Sequence, residues 1–128
     1  NVVIRPSVKI TYPWKLTLGD YAWVGDDAVL YTLGEITIGA NSVVSQKCYL
    51  CTGSHDFMSP HFDITASPVV IGEKCWLATD VFVAPGVSVG DGTVVGARSS
   101  VFKSLPANKI CRGNPAVVIR ERVETEKL

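Results

Sequence analysis

An aliphatic residue returns every six positions along most of this chain. Counted in sixes, the series are Leu18, Val24 and Leu30, then Ile38, Val44 and Leu50, then Ile71, Leu77, Val83, Val89, Val95 and Val101. All twelve are Ile, Leu or Val, although those types fill only 35 of the 128 positions. Residues six apart would drift around an α-helix of 3.6-residue period, so the pattern excludes amphipathic helices. Glycine follows the aliphatic residue at Gly19, Gly25, Gly39, Gly72, Gly90 and Gly96. Four places after it the side chain is small, as at Ala22, Ala28, Gly34, Ser42, Cys48, Ser54 and Cys75, and only Leu105 is bulky.

Short strands joined by a turn every six residues can stack only if the chain coils, three such steps closing a triangular layer of 18 residues. The expected fold class is therefore all-β: a left-handed parallel β-helix of hexapeptide repeats, an exception to the right-handed crossover rule. In this coil the aliphatic residue points inward and the small residue leaves space at the corner. Glycine is expected to supply backbone angles closed to other residues. The count breaks twice. The step of eight from Leu30 to Ile38 is expected to need a two-residue bulge at Glu35-Ile36-Thr37. The step of 21 from Leu50 to Ile71 exceeds one layer by three and holds Asp56 to Pro68, an aperiodic stretch with aromatics and prolines that reads as a protruding loop. One domain over 1–128 is expected, with its repeat core at about 16–105, the loop at about 56–69 and a C-terminal tail at 106–128, charged from Glu121 onward.

Composition narrows the function. Lys plus Arg and Asp plus Glu balance at 12 each, so no net field draws the chain to nucleic acid or an acidic membrane face. No apolar run approaches the roughly 18 residues of a transmembrane segment. The apolar share of 47 % beside 19 % charged residues points instead to a buried subunit interface. No basic segment followed by an apolar run marks a signal peptide. The four cysteines, at 48, 51, 75 and 111, are too sparse for a secreted disulfide scaffold and read as reduced thiols of a cytoplasmic protein.

The run IGEKCWLATDVFVAPGVSVGDGTVVGARSSV from Ile71 to Val101, followed by Arg112-Gly113-Asn114-Pro115-Ala116, resembles the hexapeptide-repeat acyltransferases. Within that superfamily the chain is most similar to the maltose, galactoside and nodulation-factor O-acetyltransferases. Pro13-Trp14-Lys15-Leu16-Thr17 and the segment Cys51 to Phe57 resemble the acetyltransferases of exopolysaccharide (colanic acid type) biosynthesis. The resemblance implies a homotrimer with active sites between adjacent subunits, acetyl-CoA as co-substrate lying along the coil, and a saccharide or other hydroxyl acceptor. It places the catalytic histidine at His55 and the CoA contacts at Thr79, Ala97, Phe102, Lys103 and Arg120, with Trp76 in the same groove. It also exposes departures. Val117 stands where the galactoside enzymes have an arginine, and the asparagine and aspartate of their acceptor pocket fall on Gly25 and Leu33, which puts a simple galactoside or maltose acceptor in doubt.

The chemistry fits a histidine. A sugar hydroxyl attacks a thioester slowly unless a base removes its proton as the bond forms, and imidazole suits that task at neutral pH. His55 is expected to keep one nitrogen fixed by a backbone or carboxylate acceptor and to turn the other to the hydroxyl, with a backbone N–H stabilising the oxyanion. Direct transfer without an acyl-enzyme is what the resemblance implies. Asp56 is the nearest carboxylate, but neighbours in an extended chain point to opposite sides, so a solvated loop carboxylate is its plainer role. Trp14 and Trp23 read either as sugar platforms or as interface filler, and Trp76 either as a CoA contact or as interface packing. Cys48, Cys51, His55 and His61 have the letters of a zinc site, yet Cys48 and Cys51 sit where the repeat itself asks for small residues, and no metal is expected. Two alternatives remain beside the acetyltransferase: a trimeric β-helix metal enzyme of carbonic anhydrase type, for which this chain offers two histidines rather than three, and a non-catalytic β-helical scaffold.

Overall fold

The computed structural model describes residues 1–123. Three parallel sheets form the walls of a prism: face A carries β1 (Val3–Ile4), β4 (Trp23–Val24), β7 (Val43–Val44), β12 (Trp76–Leu77), β15 (Val94–Val95), β17 (Lys109–Gly113) and β18 (Ala116–Glu121). Face B carries β2 (Lys9–Ile10), β5 (Val29–Tyr31), β8 (Tyr49–Cys51), β13 (Phe82–Val83) and β16 (Ser100–Val101). Face C carries β3 (Leu16–Leu18), β6 (Ile36–Ile38), β11 (Val69–Ile71) and β14 (Ser88–Val89), extended by a bridge from Val89 to Leu105. The chain visits A, B and C in turn through five coils, so the expected left-handed parallel β-helix is the fold observed. Among the described residues the one helical element is a 3-10 turn, Pro13–Lys15.

Register carries the period into the core. Ile4, Val24, Val44, Leu77, Val95 and Cys111 stack on face A, and Ile10, Leu30, Leu50, Val83 and Val101 on face B. Eleven of the twelve periodic residues are buried, Leu18 in the first coil being partly covered. Each such side chain contributes roughly 1.5–3 kcal/mol by leaving water. The small residues close the corners: Ala22, Ala28, Ser42, Cys48, Cys75 and Ser99 are buried, whereas Gly34 and Ser54 are not.

The glycine expectation needs correction. None of the six glycines that follow the aliphatic residue has a positive φ; the left-handed residues come two places later, at Tyr21, Asp27, Asn41, Lys47, Lys74, Asp80, Arg98 and Asn108, with Gly86 and Gly92. That turn aims the backbone N–H along the prism axis: Asn41 donates to Asp20, Lys74 to Ala40, Asp80 to Gln46 and Arg98 to Thr79, all at 2.8–2.9 or 3.0 Å. The repeated glycines answer to close approach instead. A Cβ on Gly19 would lie 2.4 Å from the Ala40 nitrogen, and one on Gly39 would lie 2.6 Å from the Gly72 carbonyl carbon.

Other expectations shift as well. Pairing begins at Val3 and continues to Glu121, so the coil outruns the expected 16–105 core at both ends, and β17 and β18 form a hairpin on face A where a tail was expected. Residues 124–128 of that charged tail lie outside the described part. Ile36 and Thr37 belong to β6, and the two extra residues of the second coil lie in the turn 32–35 rather than in a bulge at 35–37. From Leu50 on face B the chain reaches Ile71 on the adjoining face C, so the step of 21 is one corner of six plus an excursion of 15, not a layer plus three.

Candidate active site

Every irregular step falls on one edge of the prism, where face B turns into face C. The A-to-B and C-to-A steps are six residues, as from Val24 to Leu30 and from Leu18 to Val24, while the B-to-C steps are eight (Ile10 to Leu18), eight (Leu30 to Ile38), 21 (Leu50 to Ile71), six (Val83 to Val89) and four (Val101 to Leu105). His55 stands on this edge in the third coil. The excursion is a hairpin rather than an open loop: β9 (Gly53–His55) pairs antiparallel with β10 (Ile64–Ala66) and sets His55 opposite Ile64. It therefore starts at Gly53, before the expected 56–69, and Val69 already belongs to β11.

The hairpin builds its own histidine mount. Its end is closed by backbone bonds from Asp56 N–H to the Asp63 carbonyl, Ser59 to Asp56 and Phe62 to Ser59. Phe62 takes a left-handed conformation at φ 50°, and its carbonyl lies 2.8 Å from Nδ1 of His55. A carbonyl only accepts, so this bond places the imidazole proton on Nδ1 and leaves Nε2 as the basic nitrogen. Asp56 does not orient the ring: its carboxylate accepts the Met58 N–H at 3.0 Å.

His55 lines a concavity of about 90 Å³ with Tyr31, Leu33, Gly53, Ser54 and Ile64. Gly53 lets the Leu33 and Tyr31 side chains close over the strand, since a Cβ would lie 2.6 Å from Leu33 Cδ1 and 2.7 Å from Tyr31 Cε2 and push them aside. Buried Thr52 ties the wall to the hairpin: its hydroxyl donates to the Tyr31 carbonyl at 2.6 Å and accepts the Gly34 N–H at 2.8 Å, and its carbonyl accepts the Ser67 N–H. Leu33, noted in the sequence only as a departure, thus forms a wall of the pocket, whereas Gly25 sits at the A-to-B corner, where a Cβ would meet the Gln46 backbone at 2.7 Å.

From Tyr31 an aromatic ladder climbs the outside of face B through Tyr49 and Phe82 to Phe102, with ring centroids 6.4, 5.9 and 6.0 Å apart. The sequence reading followed inward positions and missed Tyr31, Tyr49, Phe82 and Ile64; aromatics one place before or after the periodic aliphatic residue were the available signal. Phe102 and Lys103 stand on the His55 edge two coils above it. Thr79 and Ala97 stand on the A-to-B edge, across face B, and the Thr79 hydroxyl donates to the Gln46 carbonyl at 3.1 Å. Trp76 projects from face A, with its indole N–H on Ser45 Oγ at 2.9 Å, and Arg120 lies exposed on β18. One chain therefore does not gather these residues: Phe102 and Lys103 stand on one edge, Thr79 and Ala97 on another, and Trp76 and Arg120 on face A.

The cysteines are built into the frame. Burial pushes the Cys48 thiol up to about 11, and its S–H points to the Ala78 carbonyl at 3.1 Å. Burial also raises Cys75 and Cys111. Cys51 donates to the Gly53 carbonyl at 3.1 Å. Among the described residues no three of His, Cys, Asp and Glu converge as a metal cluster, and no helix is long and apolar enough to cross a membrane.

Comparison with known proteins gives this geometry its relatives. The bacterial transferase hexapeptide (six repeats) family matches residues 68–103. Over 126 residues, 98 % of this chain and 69 % of the relative, the sequence is 87 % identical to the protein of Escherichia coli (strain K12) that carries the name of the colanic acid biosynthesis acetyltransferase WcaF. The maltose O-acetyltransferase of Clostridium difficile 630 superposes with a TM-score of 0.90 at 26 % identity, covering 97 % of this chain and 68 % of that one. A galactoside acetyltransferase in complex with coenzyme A superposes with a TM-score of 0.89 at 27 % identity, covering 95 % and 65 %. With a hexapeptide prism, a histidine mounted on its excursion and an 87 % identical relative, the chain belongs to the hexapeptide-repeat acetyltransferases.

Proposed function

We propose that this protein transfers the acetyl group of acetyl-CoA to a hydroxyl of a sugar or polysaccharide precursor, with His55 as general base. The observation that carries the reading is the His55 mount: an imidazole fixed through Nδ1 by the Phe62 carbonyl, at the rim of a pocket. Nε2 takes the hydroxyl proton as the oxygen bonds to the thioester carbonyl carbon. The tetrahedral adduct collapses with cleavage of the C–S bond, and the imidazolium returns the proton to the departing sulfur, leaving the ester and free CoA thiol. The buried thiols, held neutral by burial, take no covalent part.

The division of residues between two edges and face A supports a site shared by subunits. In a homotrimer, the A-to-B edge of one subunit, with Thr79 and Ala97, faces the B-to-C edge of the next, with His55, Phe102 and Lys103. CoA then lies in the groove between them, with Trp76 alongside its arm and Lys103 and Arg120 meeting its phosphates. The name of the 87 % identical relative makes a precursor of colanic acid the acceptor of choice. The four unbridged cysteines and the use of acetyl-CoA suit the cytoplasm.

The test is acetyl-CoA turnover, read as free thiol, against a panel of sugars and de-O-acetylated colanic acid. His55→Ala lowers the rate by roughly 10²–10⁴ while keeping the thermal midpoint, because the side chain is exposed. An unchanged rate in that variant with a genuine acceptor refutes the base.

A further inference from the structure

The exposed edge below His55 carries a second aromatic feature that the transfer chemistry leaves unused. In the first coil, the 3-10 turn Pro13–Lys15 projects Trp14 outward with 76 % of its surface free. Tyr12 stands beside it, ring centroids 5.1 Å apart and tilted 37°. Lys15 lies over the Tyr12 ring at 5.6 Å and donates to the Leu33 carbonyl at 2.6 Å. The backbone of Tyr12 is pinned to the next coil from both sides, its N–H to Thr32 Oγ1 at 2.6 Å and its carbonyl to the same hydroxyl at 3.1 Å. This is a rigid aromatic shelf joined by a hydrogen bond to a residue that walls the His55 pocket.

Position along the prism says what the shelf faces. The residues assigned above to CoA lie in the coils above His55, at Trp76, Thr79, Ala97, Phe102 and Lys103, so the acceptor is left the coils below. Adjacent coils are spaced by the inter-strand distance of roughly 4.8 Å, which puts the shelf about 10 Å from the His55 coil, with Leu33 between them. That is the reach of a saccharide chain occupying the pocket with one ring and extending to its neighbours. Aromatic faces present apolar area to the C–H face of a pyranose, and Lys15 offers donors to its hydroxyls.

We propose that Tyr12, Trp14 and Lys15 form a saccharide subsite that continues the acceptor site down this edge, so that the enzyme modifies an oligosaccharide rather than a free monosaccharide. The proposal rests on the acetyltransfer reading. Its occupant is a sugar ring linked to the acetylated one; a second copy of this chain covering Trp14 is the competing outcome.

The experiment compares wild type, Trp14→Ala and Trp14→Phe on de-O-acetylated colanic acid cut to graded oligosaccharides and on free galactose and glucose. The expected result is a fall of about 2- to 10-fold in the ratio of oligosaccharide to monosaccharide kcat/KM for Trp14→Ala, the factor an aromatic contact supplies, with most of it recovered by Trp14→Phe. Tryptophan fluorescence quenched by the oligosaccharide in wild type and not in Trp14→Ala supports the subsite even if no acceptor turns over, an outcome that would sink the transfer reading alone. An unchanged ratio with unchanged quenching overturns the subsite. A change of oligomeric mass in Trp14→Ala assigns the shelf to a subunit contact and overturns it as well.

Discussion

Two edges of the same prism, built by one chain from one repeat, differ in almost every physical respect. At the C-to-A edge the step is six in every coil, a glycine follows the inward residue at Gly19, Gly39, Gly72 and Gly90, and a left-handed residue turns the corner at Tyr21, Asn41, Lys74, Gly92 and Asn108. At the B-to-C edge the same places hold Tyr31, Cys51, Ala84 and Phe102, a left-handed corner occurs once, at Gly86, and the steps vary from four to 21. The first edge is closed because coil meets coil at backbone distance. The second is held apart by side chains, and the space so made contains the pocket, the hairpin and the aromatic shelf. A solenoid that hydrogen-bonds on three faces can give up regularity on one edge without losing its ladder, and this chain places its pocket and its hairpin there.

That contrast can be broken by moving a methyl group. Gly39→Ala puts a Cβ 2.6 Å from the Gly72 carbonyl carbon and 2.7 Å from the Glu73 nitrogen, and a peptide group of the adjoining coil cannot yield as a side chain would. Urea unfolding is expected to show a loss of about 3 kcal/mol, the upper end of overpacking costs. Cys51→Ala, at the matching place on the open edge, is expected to cost under about 1 kcal/mol. Equal losses in the two variants would erase the distinction between the edges.

Alkali should find the closed part of the frame next. Cys48 is a buried corner residue between faces A and B, whereas Ser54, its counterpart at the open edge, is exposed. Burial raises the folded thiol from 9.0 to about 11, so between those values the unfolded chain has lost a proton that the folded chain keeps. Stability is fully present below about pH 9 and falls as pH rises toward 11, by roughly 2 kcal/mol for this group. Cys75 and Cys111, also raised by burial, push the same way. Thermal midpoints between pH 7 and 11 should show this decline, shallower in Cys48→Ala; parallel curves would dissociate the decline from Cys48.

The smallest effect sharpens the corner itself. Tyr21 holds φ at 62°, costly for a bulky side chain, so Tyr21→Gly is expected to raise stability by about 0.5 kcal/mol. Leu33→Gly, on an edge where the second coil has no left-handed corner, is expected to lower it. Matching signs in chemical denaturation would refute this account of the corners.

The fold was legible because its cause is local and periodic: an inward aliphatic residue every six places sets strand, corner and layer together, and a single row of letters displays it. The residues of the site were legible in part. His55 stood out at the mouth of the longest interruption, and Asp56 as its neighbour could be set aside from strand geometry. The glycines were visible but misread, because a close approach between coils joins residues such as Gly39 and Gly72 that are 33 positions apart. Tyr31, Leu33 and Ile64 were not recognised as one wall, since they meet only when successive coils are stacked and the hairpin folds back on itself. By itself, then, the sequence determined the prism, its period and the two places where the count breaks, all of them consequences of spacing along the chain. Only the tertiary structure decided the Nδ1 bond that sets the tautomer of His55, the apolar wall beside it and the separation of the proposed CoA contacts onto two edges and face A, because each depends on which residues the coil brings side by side.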